Sequence, residues 1–202
     1  LTVRGNPTFA DVVSFFSSAG IDIKAGNIDG SYEMFENQPP QAIVTAVLIT
    51  AINALKEHAR KNGAVYASGA EIPDAPPGGV AYCTGGSKGW SGKGKGCFIF
   101  EGDVSFQGSG IDIESVNNYP ALIVLSASEV KFNADAVIHG ALLFPNASFT
   151  VNGHAEIHGV ILVGQSARIN GTADLYPGEG GRGFEVPPEE RVKDNVVITA
   201  WH

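Results

Sequence analysis

Three consecutive segments decide the fold, and they read ALIVLSASEVKFNADAVIHG (Ala121–Gly140), ALLFPNASFTVNGHAEIHG (Ala141–Gly159) and VILVGQSARINGTADLYPG (Val160–Gly178). Each begins with a short apolar stretch, continues through two stretches in which apolar and polar residues alternate, and closes with glycine. Alternation at every second residue is typical of β-strands with one buried face. The repeat of 18 to 20 residues therefore predicts that each segment is one coil of a β-solenoid.

Asparagine occupies the same turn position in all three repeats, as Asn133, Asn152 and Asn170. Because asparagine tolerates the left-handed conformation, we expect it there at the solenoid corners. An ordinary β-sandwich also produces short alternating strands. It would not, however, keep asparagine and glycine in register three times.

Stacked coils place equivalent residues in columns about 4.8 Å apart. The alternation predicts that Ile138, Ile157 and Leu175 form one buried column, and that Glu156 lies on the outer surface. A second buried column is predicted from Val130, Phe132, Phe149 and Val151.

The remaining chain is interpreted as part of the same single domain, 1–202. We expect N-terminal strands and a first coil in 1–30, a helix in 39–63, a loop region in 64–96, solenoid coils in 97–178, and a tail with a final strand in 179–202. The helix prediction rests on an apolar stripe at helical spacing that follows Pro39 and Pro40 and ends at Gly63. Such a helix packs along the solenoid or caps its end.

Composition excludes several classes of protein. The 202 residues are 44% hydrophobic and 17% charged, with 26 glycines and a formal net charge of −8. The hydrophobic content is high enough to form a sizeable core, which argues against a disordered chain. The negative net charge argues against a protein that coats nucleic acid. The longest apolar run, Ala42–Leu55, is shorter than the roughly 20 residues that span a bilayer, so we expect no membrane span in this sequence.

The two cysteines, Cys83 and Cys97, flank a Gly- and Lys-rich segment. Their spacing allows a disulfide that staples a surface loop, which would indicate an oxidising compartment, or a pair of free thiols. We expect the disulfide.

The same segment holds a local basic-aromatic cluster of Lys88, Trp90, Lys93 and Lys95. Lysines beside an exposed aromatic ring can contact DNA phosphates and stack on a base. The alternative is a solvated loop with Trp90 packed onto the solenoid.

Three of the five histidines fall on outward positions of the last strand in each repeat. His139 is one coil away from His158, and Asp135 is one coil away from His154. Imidazole and carboxylate groups bind divalent transition metals. His154 and His158 are roughly 13 Å apart along one strand, so we expect a weak site from His139 with His158, or from His154 with Asp135. A solvated polar face and a histidine pH switch are the alternatives, and no cofactor beyond an adventitious divalent metal is expected.

The order of these features resembles the PilX-type minor pilin relatives, which are pilin-like proteins of prokaryotic type IV pilus and related secretion systems that carry a β-solenoid. The resemblance rests on AGNIDGS (Ala25–Ser31), ALKEHARKNGAVYASG (Ala54–Gly69), the repeats VKFNADAVIHG, FTVNGHAEIHG and ARINGTADL, and VVITAWH (Val196–His202). The family usually ends in a Ser-Trp-acidic motif, where this sequence has Ala200-Trp201-His202. The family's N-terminal apolar helix is not in this sequence, and we expect that it has been removed or that the chain is an exported relative that does not assemble as a pilin.

The resemblance implies an extracellular, non-enzymatic structural or adhesive role at the prokaryotic cell surface, for example at a pilus tip. The implied partners are other pilin subunits or a surface ligand, and the basic cluster adds DNA as a further partner. The alternative function is a stand-alone solenoid that binds a carbohydrate, DNA or a surface, and a metalloenzyme ranks third.

Overall fold

The chain forms a parallel β-solenoid of about 19-residue coils with one helix against the first coil, which confirms the predicted fold class. A computed structural model describes residues 2–5, 8–16, 22–25, 29–35, 42–86, 90–106, 110–126 and 129–176. For residues before 48 it describes the backbone only. The predicted C-terminal tail and strand, 179–202, lie outside the described residues.

The first part of the chain contains four strands and the helix. These are β1 (Thr2–Gly5), β2 (Thr8–Phe16), β3 (Asp22–Ala25), β4 (Asp29–Phe35) and α1 (Ala42–Lys61). The first coil follows, with β5 (Val65–Tyr66), a 3-10 turn (Pro77–Gly79), β6 (Val80–Cys83) and β7 (Lys93–Lys95).

Four further coils each contribute three strands. They are β8 (Cys97–Phe100), β9 (Ser105–Phe106) and β10 (Ile111–Glu114); β11 (Leu122–Val124), β12 (Glu129–Phe132) and β13 (Ala136–His139); β14 (Leu142–Phe144), β15 (Ser148–Val151) and β16 (His154–His158); and β17 (Ile161–Val163), β18 (Ala167–Ile169) and β19 (Thr172–Tyr176).

Three parallel sheets run the length of the solenoid. Sheet A has the order β3-β1-β18-β15-β12-β9, sheet B the order β4-β2-β19-β16-β13-β10-β7, and sheet C the order β17-β14-β11-β8-β6-β5. Each strand pairs with the equivalent strand one coil away, so side chains at equivalent positions lie side by side.

The interior is a set of apolar columns in the predicted register. Ile113, Ile138, Ile157 and Leu175 are successive partners in sheet B, and all are buried. In sheet A the neighbouring phenylalanine rings Phe106, Phe132 and Phe149 meet edge to face, with centroids 5.5 and 5.0 Å apart. Aromatic rings prefer this arrangement.

The corner asparagines act by a mechanism that differs from the predicted one. Among the described residues, the non-glycine positions with positive φ are Asn117 and Asn118, and the three repeat asparagines are not among them. Instead their side-chain amides form a ladder: Asn152 Nδ2 donates to Asn133 Oδ1 at 2.7 Å, and Asn170 Nδ2 donates to Asn152 Oδ1 at 2.9 Å. Hydrogen bonding between coils, rather than backbone conformation, explains the recurrence.

Glycine at the end of a repeat is required by the close approach of the coils. A Cβ atom at Gly159 would lie 2.4 Å from the carbonyl oxygen of Gly140. Real side chains do not tolerate such a contact, so the corner can stack only while this position lacks a side chain.

Sheet C has apolar residues on both faces, and α1 covers its outer face. Strands β6, β8, β11 and β14 are fully buried. On the helix, Leu48, Ala51, Ile52, Leu55 and Ala59 are buried at helical spacing against outward residues of that sheet. The predicted apolar stripe is therefore a core face, and no helix among the described residues is long and apolar enough to cross a membrane.

The N-terminal strands stack on the last coil and not before the first. Thr2 of β1 is the partner of Arg168 in β18, and Thr8 of β2 is the partner of Asp174 in β19. The expected first coil within 1–30 is therefore placed at the opposite end of the solenoid. The sequence pattern identified the strands, but it carried no information on which end of the repeat array they extend.

The helix returns the chain from that end to the first coil. In sequence α1 follows β4, the terminal strand of sheet B, and precedes β5, the terminal strand at the other end of sheet C. A helix of 20 residues is about 30 Å long, and six steps between the seven strands of sheet B also span about 29 Å. The helix is thus long enough to connect the two ends.

The predicted loop region 64–96 contains three short strands, β5, β6 and β7, which build the first coil. Val80–Cys83 is fully buried and pairs with Cys97–Phe100. At the edge of sheet B, Lys95 N donates to Asp74 O. Short strands, lysine and proline are common at sheet edges, where they prevent pairing with other chains.

The predicted Cys83–Cys97 disulfide is wrong, since both residues are free, buried thiols. Cys83 is the partner of Phe100 and Cys97 the partner of Val80, so the two lie at opposite ends of adjacent strands. Cys83 packs in the solenoid interior, whereas Cys97 packs in the cluster under the helix, where burial raises the pKa of its thiol. The cysteines therefore say nothing about the compartment.

A polar cluster joins the C-terminal half of α1 to the solenoid. Lys56 Nζ and the Tyr82 hydroxyl both donate to Glu101 Oε1 at 2.7 Å, and the cations of Lys56 and Arg60 lie 5.2 and 5.1 Å from the Tyr82 ring centroid. The hydrogen bond from Lys56, followed by that from Tyr82, holds the pKa of Glu101 below its ordinary value. Ionised Glu101 thus stabilises the docked helix.

The register predicts unequal effects of two adjacent substitutions. Ile157→Ala removes a side chain that is 1% exposed and should lower the free energy of unfolding by about 2–5 kcal/mol. Glu156→Ala changes an outward side chain and should cost less than about 1 kcal/mol. Urea denaturation measures both, and a larger loss from Glu156→Ala would contradict the register.

The burial of both thiols predicts that Cys83 and Cys97 are reduced and protected from reagents in the folded protein. The intact mass of protein purified without reductant should correspond to two free cysteines, and a thiol reagent should label them only after denaturation. Labelling of both in the native protein would contradict their burial.

The Glu101 cluster predicts a pH dependence. A folded-state pKa below the unfolded value means that the stabilisation is present above the unfolded pKa and is lost as the pH falls. Glu101→Gln should therefore lower the melting temperature at pH 7, and the difference from wild type should shrink toward about pH 3, below the ordinary glutamate pKa of about 4.3. Glu57→Gln, which removes the exposed partner of Arg60, is the control. An equal Glu101→Gln effect at both pH values would refute the ionic contribution.

Candidate functional site

The outer face of sheet B carries polar side chains in columns that cross five neighbouring strands. The pairing places in one column Lys93, Asp112, Val137, Glu156 and Asp174, and in the next Lys95, Glu114, His139, His158 and Tyr176. His154 and Thr172 are partners one outward position before Glu156 and Asp174. The predicted histidine face is therefore a continuous, ordered surface.

Three rings of the second column stack along the solenoid axis. The His139 and His158 centroids are 4.4 Å apart with an interplanar angle of 17°, and those of His158 and Tyr176 are 4.5 Å apart at 10°. This spacing follows from the distance between neighbouring strands, which is about 4.8 Å. The three rings, of His139, His158 and Tyr176, form a column that is here called the ring ladder.

Two histidines on β16 are bonded to carboxylates. His154 Nε2 lies 2.8 Å from Asp174 Oδ2 on the next coil, and His158 Nε2 lies 2.7 Å from Glu156 Oε1 on its own strand. The side chains of His154 and His158 are 48% and 29% exposed. Solvent therefore reaches both pairs.

The first-coil end of this face carries an ion pair between Lys95 Nζ and Glu114 Oε2 at 2.6 Å. The hydrogen bond from Lys95 holds the pKa of Glu114 below its ordinary value, and the same bond raises the pKa of Lys95. Sequence reasoning missed this pair, because Gly94 obscures the alternation of the three-residue strand β7. The pairing of β7 with β10 places Lys93 and Lys95 on the face.

The ring ladder brings His139 and His158 together but does not orient them as a chelate. The lone pair of an imidazole nitrogen lies in the ring plane, so nearly parallel stacked rings direct their lone pairs side by side and not toward a common ion. Asp135 is exposed one position before β13, whereas His154 bonds to Asp174. Among residues 42–86, 90–106, 110–126 and 129–176, no group of three or more ligating side chains is assembled, and metal binding stays a prediction.

The basic-aromatic cluster is divided by the structure. Lys88 lies outside the described residues, and Lys93 and Lys95 are exposed in β7. Trp90 is half-buried, and its ring lies 4.5 Å from that of Phe98 and 5.1 Å from that of Phe100. The tryptophan therefore packs onto the solenoid interior, as the alternative interpretation expected, and its faces are not free to stack on a base.

Trp90 also contacts the Phe106 ring at 5.6 Å, so it closes the aromatic interior at the first coil. Its Nε1 atom is buried and has no hydrogen-bond partner in the described part of the chain. Packing of Trp90 onto the solenoid is one of the two alternatives that the sequence allows.

Comparison with known proteins leaves the fold as the established result. No protein-family model, curated protein or solved structure matches the chain. The chain is therefore a β-solenoid of about five turns, for which these comparisons identify no family.

Proposed function

We propose that the protein is a non-enzymatic structural or adhesive solenoid that acts outside the prokaryotic cell and binds other molecules through the outer face of sheet B. The observation that carries this proposal is the ring ladder with its flanking carboxylates, which forms a solvent-accessible surface on three hydrogen-bonded strands, β13, β16 and β19. A rigid face needs little ordering when a partner binds, and this favours affinity.

The pairing of polar groups supports a binding role over catalysis. His154 bonds to Asp174, His158 to Glu156, and Lys95 to Glu114. Polar side chains that form hydrogen bonds and ion pairs with one another on an open sheet make a stable contact surface. Acid–base catalysis instead uses groups whose pKa values are shifted by burial in a cleft.

In its finer form, the proposal is that the protein is a minor component of a filament of the type IV pilus kind and that its partners are other pilin subunits. It rests on the resemblance of the repeats to the pilin-like solenoids. In this form α1 serves to hold the coils together, because Leu48, Ala51, Ile52, Leu55 and Ala59 pack against sheet C. The outer face of sheet B then remains available to a neighbouring subunit or a surface ligand.

A second candidate function is a stand-alone binding solenoid for carbohydrate. The solvent-accessible histidines and carboxylates favour it, because they offer hydrogen-bonding contacts to sugar hydroxyls at the regular spacing of the coils. DNA is a weaker partner. The Trp90 ring is occupied, Lys95 is paired with Glu114, and few phosphate contacts remain to support binding at physiological salt.

The proposal predicts that adhesion depends on the ring ladder. Purified full-length chain should bind intact cells of the producing organism, and His139→Ala/Tyr176→Ala should reduce the bound fraction several-fold without lowering the melting temperature by more than a few degrees. Lys131→Ala/Arg168→Ala, on exposed positions of sheet A, is the matched control and should bind like wild type.

Mechanical shearing of producing cells tests the filament form, since a filament component should appear in the sheared surface fraction. Recovery only from the cell interior would reject the extracellular role. Equal binding by the two double variants would reject sheet B as the contact face. Binding of isolated surface polysaccharide together with absence from the sheared fraction would favour the second candidate.

A further inference from the structure

We propose that Asn170 undergoes spontaneous deamidation in the folded protein, and that the amide ladder protects Asn152 from the same reaction. The amide ladder consists of Asn133, Asn152 and Asn170, whose side chains are hydrogen-bonded along one corner of the solenoid. The proposal assigns a site of chemical modification to this corner. It stands independently of the adhesive function proposed for sheet B.

Two members of the amide ladder are followed directly by glycine, as Asn152-Gly153 and Asn170-Gly171. The stacking of the coils requires these glycines, because a Cβ atom at Gly153 would lie 2.6 Å from the Ala134 carbonyl oxygen, and one at Gly171 would be closer still to that of Gly153. A following glycine leaves the backbone nitrogen accessible to the asparagine side chain, because glycine has no Cβ atom and few conformational restrictions. The fold thus places a reactive dipeptide at two successive corners.

Deamidation at this site is an intramolecular reaction followed by hydrolysis. The Gly171 backbone nitrogen attacks the side-chain amide carbon of Asn170, a carbon–nitrogen bond forms, and ammonia leaves with the proton of the attacking nitrogen. Water then opens the resulting succinimide ring at either carbonyl and gives aspartate or isoaspartate. One water is consumed and one ammonia is released. Asn170 is exposed, so solvent reaches the ring.

Hydrogen bonds hold the Asn152 side chain at both of its polar atoms. Nδ2 donates to Asn133 Oδ1 at 2.7 Å, and Oδ1 accepts from Asn170 Nδ2 at 2.9 Å. Attack requires the side chain to rotate toward the following backbone nitrogen, which breaks both bonds. The Gly153 nitrogen in addition donates to the Phe132 carbonyl oxygen at 3.3 Å. The amide ladder therefore opposes deamidation at Asn152.

Asn170 is the last member of the amide ladder among the described residues, and it forms one bond of the ladder. Strand β1 continues sheet A beyond β18 with Val3 as the partner of Ile169, and the residue after Val3 is arginine, so no asparagine follows at the next corner. The Gly171 nitrogen donates to the Val151 carbonyl oxygen at 3.2 Å, much as Gly153 does to Phe132. The two sites thus differ in their side-chain bonds.

The coil that contains Asn170 is also packed less tightly than the coil before it. Strand β17 is half-buried along its length, whereas the equivalent β14 is fully buried. In sheet A, Arg168 is exposed where its partner Thr150 is buried. Regions with fewer buried contacts open locally at a lower free energy. Packing and hydrogen bonding therefore both predict faster reaction at Asn170 than at Asn152.

Deamidation of Asn170 also removes protection from its neighbour. A carboxylate has no N–H group, so it cannot donate to Asn152 Oδ1. Asn152 then keeps only its bond to Asn133 within the ladder. The modification therefore spreads along the amide ladder from the last coil inward.

Incubation of the full chain at mildly alkaline pH, followed by tryptic peptide mapping with mass spectrometry, measures each site separately. Cleavage after Arg168 places Asn152 and Asn170 in different peptides, and the third Asn-Gly pair, Asn62-Gly63, lies outside the ladder in a peptide of its own. In the native protein Asn170 should react at least about fivefold faster than Asn152, roughly the factor that one hydrogen bond contributes. In urea the two rates should be nearly equal, since both asparagines precede glycine.

Asn170→Asp reproduces one product of the reaction and should raise the native rate at Asn152 several-fold. Ser166→Ala is the matched control, since it removes another exposed hydrogen bond between coils, from Ser166 Oγ to Ser148 Oγ, and should leave that rate unchanged. Circular dichroism melts establish that both variants are folded.

Equal rates at Asn152 and Asn170 in the native wild type would overturn the proposal, as would absence of reaction at Asn170 on the time scale of the unfolded chain's reaction. An unchanged rate at Asn152 in Asn170→Asp would refute protection by the amide ladder.

Discussion

Parallel pairing of every strand with the equivalent strand one coil away is the constraint on which the rest of the structure depends. It fixes the distance between coils, so that identical positions repeat as columns. The interior isoleucines and phenylalanines, the corner amide ladder and the stacked rings are all consequences of this one spacing. A side chain fits at a column position only if it also packs against the equivalent residues of the neighbouring coils. This requirement explains both the repeated asparagine and the glycine at the coil corner.

The three sheets use this constraint in different ways. The four central strands of sheet C are buried on both faces, with Leu122 directed to the interior and Ile123 to the cluster under α1. Sheet B is buried on one face and exposes histidines, carboxylates and Tyr176 on the other. The helix therefore distinguishes the faces: the sheet that it covers is apolar on its outer side, and sheet B keeps polar side chains in contact with solvent.

Most of the fold could be predicted from the sequence, because the repeats state the register directly. Ile157 inward and Glu156 outward followed from alternation alone. The position of the N-terminal strands did not, since alternation is local and β1 pairs with β18 through a contact between distant parts of the chain. The disulfide prediction was wrong for a related reason. Spacing in sequence places Cys83 and Cys97 on neighbouring strands, but the register puts them at opposite ends of those strands and on opposite faces of sheet C. At the site, the sequence located His139, His154 and His158, whereas the ring orientations depend on side-chain torsions that no pattern records.

The stacking of β1 and β2 on the last coil has a consequence for how the molecule folds. Repeat arrays ordinarily fold outward from any point, since each unit contacts only its neighbours. Here β1 and β2 precede the repeat array in the chain and yet are partners of strands in its last described coil, β18 and β19. Their pairing must therefore wait for synthesis of the whole repeat array, and a contact between such distant segments carries a high entropic cost of loop closure. Strands β1 and β2 can pair with β3 and β4 earlier, but they cannot join the solenoid until β18 and β19 have been made, so closure at this end is a late step of folding.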